Sequence, residues 1–412
     1  MVEHLLIALV VLLVAAKLGG ALAERLGQPA VLGELLAGVG VGALPLLGLG
    51  QLQFLGTDPV VDALADLGVI LLLFEVGLST RLADLMKVGV SAFLVATVGV
   101  VVPMVLGYFV GVWLLPGSSS YVHVFLGATL SATSVGITAR VLQDMGKVKT
   151  SEGQIILGAA VIDDVMGLLV LAVMVGLLGG SGQSTGVTAA IVTAKAVGFI
   201  VGALVLGRWL APRLFRLTAR LRGRGVVFTA ALVTAFSLAL AAHLAGLAPI
   251  VGAFAAGLVL EGVPFDELLP EGEKLENLLL PLSSVLVPIF FVRMGLRVNL
   301  PELAGGSVLL AGALTAAAIV GKQACALAVV NRGVDRLAVG LGMIPRGEVG
   351  LIFAGMGLDM MLSGKPVLGS GEFAAVVAMV MLTTVVTPPL LRWRLSRVDA
   401  ISAAAAGEAP AG

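Results

Sequence analysis

The chain has 412 residues, 59% of them hydrophobic and only 12% charged, with 25 basic side chains balancing 25 acidic ones. Soluble domains carry roughly 25% charged residues, so this balance and a mean hydropathy of +1.11 exclude a large water-soluble domain. Zero net charge argues against a nucleic-acid partner, and the single cysteine, Cys325, excludes an intramolecular disulfide or a cysteine-based metal centre.

Apolar runs near the roughly 20 residues that a bilayer-crossing helix needs predict an all-α polytopic membrane protein with about thirteen spans. They cover about 4–23, 29–46, 59–78, 88–114, 121–139, 154–178, 187–207, 225–243, 247–260, 280–296, 304–330, 337–357 and 370–391. Span 1 ends in Ala21-Leu22-Ala23, similar to a signal-peptide cleavage site. It is long for such a leader, holds Lys17 and lacks a basic start, so it reads as a span. Span 5 carries Ser131-Ala132-Thr133-Ser134-Val135-Gly136-Ile137-Thr138, and span 6 places Asp163 and Asp164 in an otherwise apolar stretch from Ile155 to Leu178. Six arginines from Arg208 to Arg224 follow span 7 and mark a cytoplasmic loop facing anionic lipid. Lys322 sits deep in span 11, span 12 contains Pro345-Arg346-Gly347-Glu348, and residues 400–412 form a low-complexity tail expected to be disordered.

Charge outside the spans fixes an expected orientation. Eighteen basic residues fall on the C-terminal side of the alternation and two, Arg297 and Lys365, on the other. The positive-inside rule therefore predicts an external N-terminus and a cytoplasmic C-terminus.

Three short matches recur in order at nearly one offset. Gly33-Glu34-Leu35-Leu36-Ala37-Gly38 pairs with Gly252-Ala253-Phe254-Ala255-Ala256-Gly257, and Glu75-Val76-Gly77-Leu78 with Arg293-Met294-Gly295-Leu296. Ser134-Val135-Gly136-Ile137 pairs with Glu348-Val349-Gly350-Leu351. Matched spans are seven apart, so spans 1–6 and 8–13 would cross the membrane in opposite senses. Such inverted repeats belong to secondary transporters, whose substrate sits near mid-membrane where discontinuous helices meet. Gly136 in span 5, and Pro345 with Gly347 in span 12, predict that these two spans are broken and cross.

A charged side chain at the bilayer centre costs roughly 2.5–3.5 kcal/mol on insertion scales, and adjacent carboxylates repel. Asp163 and Asp164 therefore read as a site for a cation or protons, and Lys322 as a residue needing an anionic partner, for which the chain offers Asp163, Asp164 and Glu348. Unwound stretches would free carbonyls and hydroxyls for a cation, with Ser131, Ser134, Arg346 and Glu348 supporting the crossing. The inverted repeat with charges at mid-membrane depth predicts a transporter rather than an enzyme, with no catalytic residues and no cofactor.

With these motifs, and with Gln28-Pro29 and Leu67-Gly68-Val69-Ile70-Leu71-Leu72-Leu73-Phe74, the chain resembles the bacterial monovalent cation:proton antiporters. The resemblance is to the NapA-type and Kef-type branch, with an NhaA-like fold, and runs from about residue 4 to 391. It implies one membrane domain over 1–399: a dimerising scaffold at about 4–78 and 225–296, a core at about 88–178 and 304–391, and a linker span at 187–207. It further implies a homodimer with elevator-like core movement, Asp164 as ligand to Na+, Asp163 paired with Lys322, and Thr133 at the crossing. Kef-type relatives add a cytosolic nucleotide-binding domain for which this sequence has no room, which favours an unregulated antiporter. The expectation is electrogenic exchange of Na+, or Li+, for H+ across a bacterial inner membrane. A K+/H+ antiporter is the alternative; a cation channel and a sodium-coupled solute symporter are further rivals.

Overall fold

The computed structural model describes residues 2–48, 50–178, 185–218, 225–265, 274–296, 308–362 and 365–406. They are almost wholly helical. In chain order the helices are α1 (Val2–Arg25), α2 (Ala30–Ala43), α3 (Pro59–Leu78), α4 (Leu82–Lys87), α5 (Gly89–Leu114), α6 (Ser120–Thr129), α7 (Val135–Asp144) and α8 (Ser151–Leu178). Then come α9 (Thr185–Thr218), α10 (Val226–Leu244), α11 (Pro249–Glu261), α12 (Leu275–Leu296), α13 (Val308–Ala324), α14 (Arg336–Gly342), α15 (Glu348–Asp359) and α16 (Ser370–Ala406). A two-residue antiparallel ladder pairs Met361–Leu362 with Lys365–Pro366.

Among the described residues, seven helices are long and apolar enough to cross a membrane, by length and composition, and α2 and α11 are shorter apolar helices. Helix α16 runs on to Ala406, seven residues into the 400–412 tail expected to be disordered, and residues 407–412 lie outside the described residues. Local sequence explains several boundaries. The Asp58 carboxylate accepts from the N–H groups of Val60 and Val61 with Pro59 in the first turn of α3, and Asp335 caps α14 in the same way through Leu337 and Ala338.

Two compact units emerge: residues 1–18, 37–87 and 175–297 in the first, and 19–36, 88–174 and 298–412 in the second. In the first unit α3 packs on α11 and α12 through backbone-to-backbone crossings. A Cβ on Gly257 would lie 2.3 Å from the Phe74 carbonyl oxygen, and one on Gly77 would lie 2.3 Å from that of Phe254. Helices α2 and α12 cross similarly, with a Cβ on Gly38 falling 2.1 Å from the Val292 oxygen and 2.9 Å from the Gly295 Cα. Pro288 has no N–H for the carbonyl of Ser284 four residues earlier, and the Lys17 ammonium donates to that oxygen at 2.9 Å. Arg293 pairs with Asp62 at 2.6 Å.

The second unit is built on α5, against which α6 and α13 pack, with α16 behind α13. Gly107 and Gly127 bring α5 and α6 together: a Cβ on Gly127 would lie 2.3 Å from the Met104 oxygen. Gly321 of α13 fits against Pro103 of α5, its added Cβ 2.8 Å from the Pro103 Cα. These close approaches leave α8, α13 and the interruptions described next around one buried centre.

Candidate functional site

Asp163 lies midway along α8 with no exposed surface, and Asp164 is 7% exposed. One Asp163 oxygen, Oδ1, faces the Lys322 ammonium at 3.1 Å, and neither side chain is exposed. Lys322 reaches this point beside Gly99 of α5, where an added Cβ would lie 3.3 Å from Nζ. The other oxygen, Oδ2, accepts the backbone N–H of Thr133 at 2.6 Å. Thr133 lies one residue before Ser134, the N-cap of α7, so the carboxylate sits close to the partial positive charge of that helix start.

Two helical runs are interrupted here. The chain leaves helix between α6 and α7, over residues 130–134, and again between α14 and α15, over residues 343–347. The interruptions meet. The Ser134 N–H donates to the Pro345 carbonyl at 2.8 Å, and Arg346 Nη1 donates to the Ala132 carbonyl at 2.9 Å. Thr133 Oγ1 reaches the Met343 carbonyl at 3.4 Å. Gly347 passes so close to Ser134 that an added Cβ would lie 2.7 Å from its hydroxyl oxygen, which explains why no larger residue follows Arg346.

The structure thus gathers Asp163, Thr133, Lys322, Ser134 and Arg346 into one buried cluster, with Asp164 next to it on α8. Arg346 is fully buried, and among the described residues its Nε and Nη2 have no hydrogen-bond partner. Ser131 turns away: its hydroxyl donates back to the Ala128 carbonyl at 2.7 Å and closes the end of α6. Glu348 begins α15; its side chain lies outside the described residues. Buried charges are tolerated only when paired and hydrogen-bonded, and Asp163 meets both conditions. Neighbouring carboxylates in such a cluster can exchange a proton for a monovalent cation on the same oxygens. Among the described residues no group of three or more His, Cys, Asp or Glu side chains could hold a resident metal.

The break in span 5 ends before Gly136, the residue expected to weaken that span; Gly136 is helical and buried in α7. The interruption is held instead by outside partners for the Thr133 and Ser134 N–H groups. The sequence singles out Thr138 only as the end of the polar stretch of span 5 and does not single out Thr384; their hydroxyls donate to the carbonyls of Gly342 and Arg346, each at 2.6 Å. The only sequence signal of Thr384 is a hydroxyl inside an apolar run.

With this geometry established, comparison with known proteins decides the family. The profile described as "Sodium/hydrogen exchanger, transmembrane" matches residues 9–396. The chain belongs to the sodium/hydrogen exchanger family. Its relatives in that family include the high-affinity Na(+)/H(+) antiporter NhaS3 of Synechocystis, 39% identical over 94% of this chain and 89% of the relative. The Na(+)/H(+)-K(+) antiporter GerN of Bacillus cereus is 35% identical, covering 94% of this chain and 95% of GerN. The sodium proton antiporter MjNhaP1 of Methanocaldococcus jannaschii shares the exchanger fold. Its electron-microscopy structure has a TM-score of 0.69 at 18% identity over 96% of both chains.

Proposed function

We propose that this exchanger moves Na+ against H+ across a bacterial inner membrane, with Asp164 as the cation ligand and Asp163 as the second proton-exchanging carboxylate. One observation carries the assignment of roles. Asp163 is committed to the Lys322 ammonium and the Thr133 N–H, which supports its neighbour Asp164 as the group that takes the ion. The relatives named as sodium/proton antiporters support sodium as substrate. Potassium is the second reading, favoured by the name of GerN, which includes both cations.

The finer architecture belongs to the same proposal: thirteen spans in two inverted repeats, an external N-terminus, a homodimer, and a core that moves elevator-like against a scaffold. Matched contacts support the repeat. Gly38 and Gly257 occupy equivalent positions in the sequence matches, as do Gly77 and Gly295. The Gly38–Gly295 approach in α2 and α12 is therefore the counterpart of the Gly257–Gly77 approach in α11 and α3. The grouping of 88–174 with 298–412 in one compact unit supports a core assembled from both halves.

Proton flux in proteoliposomes, driven separately by sodium, lithium and potassium, tests the function. Asp164→Asn should abolish cation-driven flux while the protein still inserts. Substantial sodium-driven flux in that variant would remove Asp164 from the site, and flux driven by potassium alone would establish the second reading.

A further inference from the structure

We propose that Thr138 and Thr384 are positioning residues for the ion site, two hydroxyl staples that hold the 343–347 interruption and, through it, the Arg346 guanidinium. Both threonines are fully buried. Thr138, on α7, donates to the carbonyl of Gly342, the last residue of α14, and Thr384, on α16, donates to the carbonyl of Arg346 itself. Neighbouring threonines on α16 do something different. Thr383 donates to Met379 and Val380, and Thr387 donates to Thr383, so both hydroxyls return to their own helix. That self-satisfaction is the usual fate of a threonine in an apolar helix. Thr384 alone of the three reaches out of the helix, and its acceptor is the residue that carries the charge.

The physical need for such staples is clear. When a chain leaves helix inside an apolar interior, its carbonyls lose their partners four residues on, and each unpaired group is costly. Here the Gly342, Pro345 and Arg346 carbonyls are engaged by Thr138, the Ser134 N–H and Thr384 respectively. The Met343 carbonyl receives the longer bond from Thr133. On the opposite interruption, the Ala132 carbonyl receives Arg346. These five carbonyls thus have internal donors, and the loop acts as a frame beside the carboxylates on α8. The frame matters because Arg346 interacts electrostatically with both Asp163 and Lys322. Its guanidinium is anchored at the tip by Ala132 and at the backbone by Thr384. Removing the Thr384 hydroxyl releases the backbone anchor, and removing that of Thr138 releases the entry to the loop. Either change alters the field at the carboxylates as well as the packing.

This inference rests on the exchange reading, and the experiment separates the two. Flux is measured with whichever of sodium, lithium or potassium drives it best in the parent protein, in proteoliposomes, across a pH series. Thr384→Val and Thr138→Val keep shape and remove the donor; each should raise the cation concentration for half-maximal flux by about three- to tenfold, the size of one lost buried hydrogen bond. Each should also displace the pH profile. Thr384→Ser and Thr138→Ser restore the donor and should stay within about twofold of the parent. Valine variants with an unchanged half-saturation and pH profile, whatever their melting temperature, overturn the proposal. So do serine variants as impaired as the valine ones. Should a valine variant fail to insert, cysteine at that position, a poorer donor of similar size, is held to the same expectation. A parent protein with no cation-driven flux would instead sink the exchange reading.

Discussion

Lys322 and Asp163 are a pair in which each member makes the other tolerable. With no exposed surface on either side chain and 3.1 Å between them, truncating the lysine leaves the Asp163 carboxylate held by the Thr133 N–H without its counter-charge. Breaking a buried pair by removing one partner costs roughly 3–5 kcal/mol. Lys322→Ala should therefore lower the thermal unfolding temperature markedly and shift the pH profile of any residual exchange. An unchanged melting curve and profile would mean that the ammonium does not hold Asp163. The need for a counter-charge was legible in the sequence, because a lysine within an apolar run has no cheap solution except an acidic partner. The choice among Asp163, Asp164 and Glu348 was left open by the residues alone, and only the family resemblance pointed to Asp163. The threonine staples were not legible for the opposite reason. A buried threonine has a cheap solution within its own helix, and nothing in the run Thr383-Thr384-Val385-Val386-Thr387 distinguishes the residue that reaches outward.

Among the helices, the glycines show how little a pattern says without its surroundings. Gly107 and Gly111 share the same spacing as Gly198 and Gly202. The first pair lies against α6, where a Cβ on Gly107 would meet the Gly127 Cα at 2.8 Å and one on Gly111 would meet His123 at 2.9 Å. A Cβ on either Gly198 or Gly202 would meet nothing within 4 Å. Gly257 is more constrained than any of these, with backbone of α3 2.3 Å from the would-be Cβ. Gly257→Ala should thus force α3 and α11 apart and destabilise the protein by about 1–3 kcal/mol. Gly198→Ala should be neutral or stabilise by up to about 1 kcal/mol, the intrinsic helix preference of alanine. Thermal unfolding of the two variants side by side checks both; equal melting temperatures would show that the α3–α11 approach does not constrain the fold. Helix interruptions were partly legible. Pro345 and Gly347 do fall in the 343–347 break, since a proline without an N–H and a glycine with little helix preference weaken that turn. In span 5 the break is set by remote partners for the Thr133 and Ser134 N–H groups, and no local residue announces that.

For the molecule as a whole, hydropathy and the pattern of basic residues were enough to read an all-helical membrane protein. The division into units was less accessible, because it depends on which distant helices touch: residues 19–36 group with 88–174 and 298–412 rather than with the segments next to them in sequence. The proposed stoichiometry is also a property of the whole cycle. If Asp163 and Asp164 both release protons in exchange for one monovalent cation, each turnover moves one net charge across the membrane. A potential of about 100 mV then biases the cycle by about 2.3 kcal/mol. Imposing inside-negative and inside-positive potentials on proteoliposomes at equal ion gradients should therefore change the initial rate or reverse the direction of flux. The geometry adds a discriminating variant. Asp163→Asn keeps a side chain of nearly the same shape against the Thr133 N–H and removes the charge that faces Lys322. If that variant still transports, its flux should depend less on potential, because one exchanging carboxylate is left. Parent flux indifferent to the imposed potential would assign Asp163 a structural role beside Lys322 and make the exchange electroneutral.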